Sequence, residues 1–170
     1  MDDIITMANV LEDLLVNEFR TCQTIQHLTN EERQALARYD IPSLALLVEQ
    51  KEAMLDELGQ IEDKRRMVVQ NLSQVFGIDS SSPSIAEIAT RLHLDTGNRI
   101  NRLREGIMAL AEDIRVLTSG NHTLVMTALD RVDAMQTFFL DTFKPALFYD
   151  RPGTTPLNQP DAVWDVDQRI

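Results

Sequence analysis

Between Asp40 and Gly77 the chain repeats an apolar pattern every seven residues for five consecutive heptads. The positions are Leu44, Leu47 and Val48; Lys51, Met54 and Leu55; Leu58, Ile61 and Glu62; Arg65, Val68 and Val69; Leu72, Val75 and Phe76. A seven-residue repeat sustained this long cannot be a strand, whose faces alternate every two residues. It specifies a long helix with a packing seam and a left-handed supercoil. The ends are marked as well. Asp40 is a good N-cap, Pro42 fits only the first helical turn, and Gly77 suits the residue just past a helix C-terminus. The spacing predicts a helix over 41–76.

Two further segments carry helical periodicity. In the first, over 3–38, Ile4, Ala8, Leu11, Leu15, Cys22 and Ile25 lie on one stripe, widened by Met7, Leu14, Phe19 and Leu28. Thr29 and Glu32 allow a capping box and a break near Leu28, but the segment holds neither Gly nor Pro, which favours one continuous helix. After a loop at 77–83, Ser84 and Glu87 read as a capping box opening a short helix over 84–94. The last helix is expected over 96–148, with a seam at Ile100, Leu103, Ile107, Leu110, Ile114, Leu117, Asn121, Leu124, Ala128, Arg131, Met135 and Phe138. Gly120-Asn121 marks the expected bend. The expected fold is all-α: an elongated antiparallel bundle or coiled coil of three long helices plus one short helix, filling 1–148. Residues 149–170, with Pro152, Pro156, Pro160 and the sole tryptophan, Trp164, form an extended or disordered tail.

Folding the first two helices back at Tyr39-Asp40 brings residues whose numbers add to roughly 79 to the same height, counting along the two chains. Lys51 then falls within a turn of Glu32, and Arg65 within a turn of Glu18. Seam ion pairs of this kind fix register. Asn121, a lone amide on a seam, reads the same way.

Chemistry is scarce. His27, His93 and His122 do not follow a carboxylate at Glu-x-x-His spacing, and the single cysteine makes neither a disulfide framework nor a zinc motif. Gly-x-Gly-x-x-Gly, Gly-Lys-Ser/Thr and Gly-x-Ser-x-Gly sequences are missing. Cys22 sits in a helical stripe and reads as a packing residue. The expectation is a non-enzyme without cofactor or metal. The net charge of -11 has the wrong sign for nucleic acid or an anionic membrane surface. It is concentrated in residues 1–79, with 15 acidic and 7 basic residues. An acidic start and short apolar runs suggest neither signal peptide nor membrane insertion, hence a cytoplasmic protein. Arg91, Arg99, Arg102 and Arg104 make a basic patch that reads as a solvated face or as pairing with the acidic hairpin.

The second half of the last helix stands apart. From Val116 to Leu129 fourteen residues carry no formal charge. A second apolar stripe, Met126, Leu129, Leu140, Phe143 and Leu147, lies on a different face from the seam, and Phe138, Phe139, Phe143 and Phe148 cluster here. A helix of about 52 residues beside helices of about 36 should overhang by a quarter. An overhanging Phe-rich helix with two apolar faces suits docking of a partner helix, or a homodimer.

Several segments resemble the flagellar export chaperone FlgN family. They are Leu28-Thr29-Asn30-Glu31-Glu32-Arg33-Gln34-Ala35-Leu36, then Asp40 and Leu44, then Val48-Glu49-Gln50-Lys51-Glu52-Ala53-Met54-Leu55, then Leu58, Glu62 and Arg66. Asn121 with Leu124 resembles the family's later Asn-x-x-Leu, and Tyr149-Asp150-Arg151-Pro152-Gly153 its Tyr-x-x-x-Gly; the likeness spans about residues 5–153. The resemblance implies a cytoplasmic chaperone of type III flagellar export. Such a chaperone binds the C-terminal helix of hook–filament junction proteins, prevents early assembly and delivers them to the membrane export gate. Carried onto this sequence, the cargo surface falls at 126–148, on Met126, Leu129, Phe139, Leu140, Phe143 and Leu147, and gate docking falls on Tyr149. The competing expectation is a structural or regulatory coiled-coil protein that homodimerises through its last helix.

Overall fold

The computed structural model describes residues 2–78 and 83–142. Among the described residues there are four helices and no strand: α1 (Asp2–Arg38), α2 (Ile41–Phe76), α3 (Ile85–Arg91) and α4 (Leu94–Thr142). The all-α expectation holds. The third helix ends three residues earlier than expected and the last begins two earlier, while the expected end of the last helix at 148 lies outside the described residues. The chain divides into two units, Met1–Leu129 and Asp130–Ile170.

In the first unit, α1 is continuous through Leu28 and Thr29. The Thr29 hydroxyl caps nothing; it donates to the Ile25 carbonyl at 2.7 Å, fully buried within the helix. Both long-helix ends close in the same way. Tyr39 N–H donates to Leu36 O and Asp40 N–H to Ala35 O; Gly77 N–H donates to Gln74 O and Ile78 N–H to Ser73 O. This paired closure needs a left-handed residue at its centre. Gly77 takes φ 63° without steric cost, while Tyr39 takes φ 57° with a side chain. Asp40 then caps α2, accepting from Ser43 N–H at 3.1 Å and Ser43 Oγ at 2.6 Å. Those bonds hold the Asp40 carboxyl below its ordinary range.

α1 and α2 run antiparallel and are joined by two ion pairs, Glu32–Lys51 and Glu18–Arg65. Both pairs were expected. Their residue numbers add to 83, one turn from the expected register. Side chains on a helix lean toward its N-terminus. Those of α1 therefore lean away from the turn and those of α2 toward it, so each α2 partner sits further from the turn than its α1 mate.

Within the first unit α4 runs parallel to α1. Arg99 pairs with Glu12 and Gln26 with Asp113, each 87 positions apart. A return to parallel requires the crossover through the 77–84 segment and α3. Leu11, Leu15, Val69, Leu72, Ile88, Ala89 and Ile100, drawn from all four helices, form the core where the crossover closes. Gly97 makes that closure possible: a Cβ there would stand 2.3 Å from the Ala89 carbonyl oxygen. Gly106 admits the Phe19 ring, whose Cε2 would lie 2.9 Å from an added Cβ. In the second unit residues 130–142 are described; they continue α4, and all are exposed.

Candidate functional site

Two polar arrangements tie the first unit together. Lys51 Nζ donates to both carboxylate oxygens of Glu32, which is 6% exposed. Asn121 Nδ2 donates to Thr29 O at 2.9 Å and to Glu32 Oε2 at 3.4 Å. One residue from each of α1, α2 and α4 thus meets in a buried node. A charge buried this far is tolerated only when paired, so the node locks three helices into one register. Further along, Arg65 Nε lies 2.9 Å from Glu18 Oε2, yet neither atom has a well-directed hydrogen bond. Burial accordingly pushes the Glu18 carboxyl up despite the Arg65 charge, with Glu62 adding to the rise. Both arrangements are structural in character, as the seam positions suggested.

The remaining chemical candidates resolve simply. Cys22 is buried, and desolvation, reinforced by Glu18, pushes its thiol up, opposite to what a nucleophile needs. Of the basic patch, Arg99 makes a bidentate pair with Glu12 at 2.7 and 2.9 Å and holds that carboxyl below its ordinary range. His27, His93 and His122 are exposed. No helix among the described residues is long and apolar enough to cross a membrane.

Burial along α4 changes sharply. Ile100 is fully buried, Leu103, Ile107, Leu110, Ile114 and Leu117 are half-buried, and Asn121 is buried. The expected seam continued through Leu124, Ala128, Met135 and Phe138 as intramolecular packing, and of these Ala128 is half-buried. Leu124, Met135 and Phe138 are instead exposed, the last two by 58% and 65%. The physical reason is register. At the constant offset of 87, the last residue of α1, Arg38, stands level with residue 125 of α4. Beyond that level α1 supplies no side chains, and an apolar repeat alone does not create a partner.

Of the residues expected on the cargo face, Met126 and Leu129, in the first unit, are exposed. In the second unit Phe139 and Leu140 are exposed, and Phe139 sits edge-on to Phe138 with ring centroids 6.0 Å apart. Phe143, Leu147 and Tyr149 lie outside the described residues. The apolar spacing does not single out Val132, which is also exposed, and places Met135 and Phe138 on the packing seam instead. The signal that identifies them is the end of α1, not their own spacing.

Residues 7–156 match the family described as FlgN protein. The chain belongs to the FlgN family. Membership places it among flagellar chaperones, and the match covers α1 from Met7, all of α2 and α3, and all of α4. No curated protein and no solved structure matches the chain. In this FlgN protein the resembling Lys51, Glu32 and Asn121 are the three residues of the buried node.

Proposed function

We propose that this FlgN protein binds the amphipathic C-terminal helix of flagellar hook–filament junction proteins along the end of α4. It thereby prevents their early assembly and delivers them to the type III export gate. The observation that carries the reading is the exposure of Val132, Met135, Phe138 and Leu140 on one short helical stretch. Large apolar side chains at this density are costly to leave in water, and each stabilises a complex by about 1.5–3 kcal/mol on burial, before ordering costs. Met126, Leu129, Phe139, Phe143 and Leu147 extend the proposed surface, and Tyr149 is assigned to gate docking from the family resemblance. The setting of this activity is the cytoplasm, where export substrates are made.

The test is calorimetric titration of the full chain with a junction-protein C-terminal segment. Replacing Met135 and Phe138 together with Ser should weaken binding at least tenfold, about 1.4 kcal/mol, with the melting temperature unchanged. Normal binding by the double variant would place the cargo elsewhere. The same exposed residues would also serve a homodimer. Light scattering of the free chain separates the two: a dimer that the double variant abolishes, with no peptide binding by either protein, favours the homodimer.

A further inference from the structure

The first half of α2 carries an apolar face that α1 does not use. Ile41, Val48 and Leu55 recur at intervals of seven, and Ala45, Glu52 and Gly59 follow each by four, so all six lie on one side of the helix. All six are exposed, Val48 by 40% and Leu55 by 49%. In the second half the same heptad positions are covered from Val69 on: Val69 and Ser73 are buried and Phe76 is half-buried near α3 and the start of α4, while Arg66 stays exposed. The pattern is thus that of a packing face, and only its second half has a partner within the first unit.

Gly59 points the same way. A glycine inside a helix is unfavourable relative to alanine, and the glycines at 77, 97 and 106 each have a local reason: a left-handed turn, the Ala89 carbonyl and the Phe19 ring, while at Gly120 an added Cβ would meet the Arg33 guanidinium at an ordinary 3.5 Å. At Gly59 nothing lies within 4 Å of where a Cβ would stand. The chain itself gains nothing from its absence, but a closely approaching second backbone does. The charge beside the face selects the occupant. Glu49, Asp56 and Asp63 recur every seven residues along the adjoining ridge, with Glu52 on the face itself. The ion pairs among the described residues include none of these four. A second copy of this acidic chain would bring like charge to that ridge, whereas a basic flank would neutralise it.

We propose that residues 41–59 of α2 form a docking face for a partner protein's amphipathic helix, with an apolar stripe flanked by Lys or Arg, whose backbone packs close over Gly59.

The probe is a synthetic 21-residue helical peptide with Leu at every a and d position and Lys at every e and g position, and a twin with Glu replacing each Lys. Fluorescence anisotropy with the full chain should show binding of the Lys peptide that weakens with salt, and none of the Glu twin. Val48→Ser with Leu55→Ser, which leaves every charge in place, should weaken binding at least tenfold. Met135→Ser with Phe138→Ser should leave it unchanged. Gly59→Ala should raise the melting temperature of the free chain while weakening the peptide, a pairing of signs that a purely structural glycine does not give. Equal binding of both peptides, indifference to the Val48/Leu55 variant, or loss only with the Met135/Phe138 variant overturns the proposal. So does a mass by light scattering that doubles in the free chain and halves in the Val48/Leu55 variant, because the face would then be covered by a second copy.

Discussion

α4 carries the same kind of apolar repeat along its whole described length, yet its two halves have different fates. From Ile100 to Asn121 the repeat is buried or half-buried against the other helices of the first unit. From Leu129 to Thr142 every residue is exposed, including Met135 and Phe138 at seam positions. Heptad spacing therefore encodes a wish to pack, and the supply of neighbours decides whether it is met inside the chain. Half-buried residues continue to Val125 and Ala128, about the level where α1 ends, and Asn121, whose amide reaches Thr29 and Glu32, is the last fully buried residue of the helix. The polar node thus lies within two turns of the end of the packed half.

The largest blow to that division is Lys51→Met. It leaves the Glu32 carboxylate buried without its cation, and removing one partner of such a pair costs about 3–5 kcal/mol. Urea unfolding should show the loss; an unchanged midpoint would mean that the node does not hold the three helices. Next comes a matched pair within α4 itself. Ile100→Ala empties a fully buried site and should cost about 2–5 kcal/mol, while Phe138→Ala should stay within about 0.5 kcal/mol, as exposed substitutions do. Equal losses in the two variants would erase the comparison. Gly97→Ala sharpens it at the other end of the packed half: the new methyl group meets the Ala89 carbonyl, and overpacking of this kind costs about 1–3 kcal/mol. Thermal melts check it.

The smallest effect is a pH dependence inside the packed half. Folding raises the Glu18 pKa above its ordinary value, so the native state holds that proton more tightly than the unfolded chain. Stability from this group therefore falls as pH rises from the ordinary carboxylate value to the raised one. Glu12, lowered by Arg99, acts with the opposite sign: its contribution is present above the ordinary value and is lost as pH falls through the lowered one. Glu18→Gln should remove the first slope and leave the second, read as urea midpoints across the acid range. A slope unchanged in the variant would show that Glu18 ionises as freely in the fold as outside it.

Much of the packed half was legible in the amino-acid sequence because local rules govern it. Asp40, Pro42 and Gly77 mark helix ends through their own backbone chemistry, and the Glu32–Lys51 and Glu18–Arg65 pairs follow from folding one heptad seam onto another. Gly97 was not legible, since its reason is a carbonyl eight residues away, brought close only by the crossover. Nor was the exposure of Val48, Leu55, Met135 and Phe138. Each obeys the repeat perfectly, and only the length and register of its neighbours show that nothing in the described chain covers it. The candidate site was visible as an excess of apolar residues near the end of the chain. Which of them face away from the fold depended on where α1 stops.

Amide hydrogen exchange of the full chain, alone and with a junction-protein C-terminal segment, tests the division of α4 most directly. The account predicts new protection in peptides covering residues 129–142, with exchange across 97–121 unchanged. Protection gained instead on α1 or on residues 41–59, with 129–142 still exchanging freely, would contradict it.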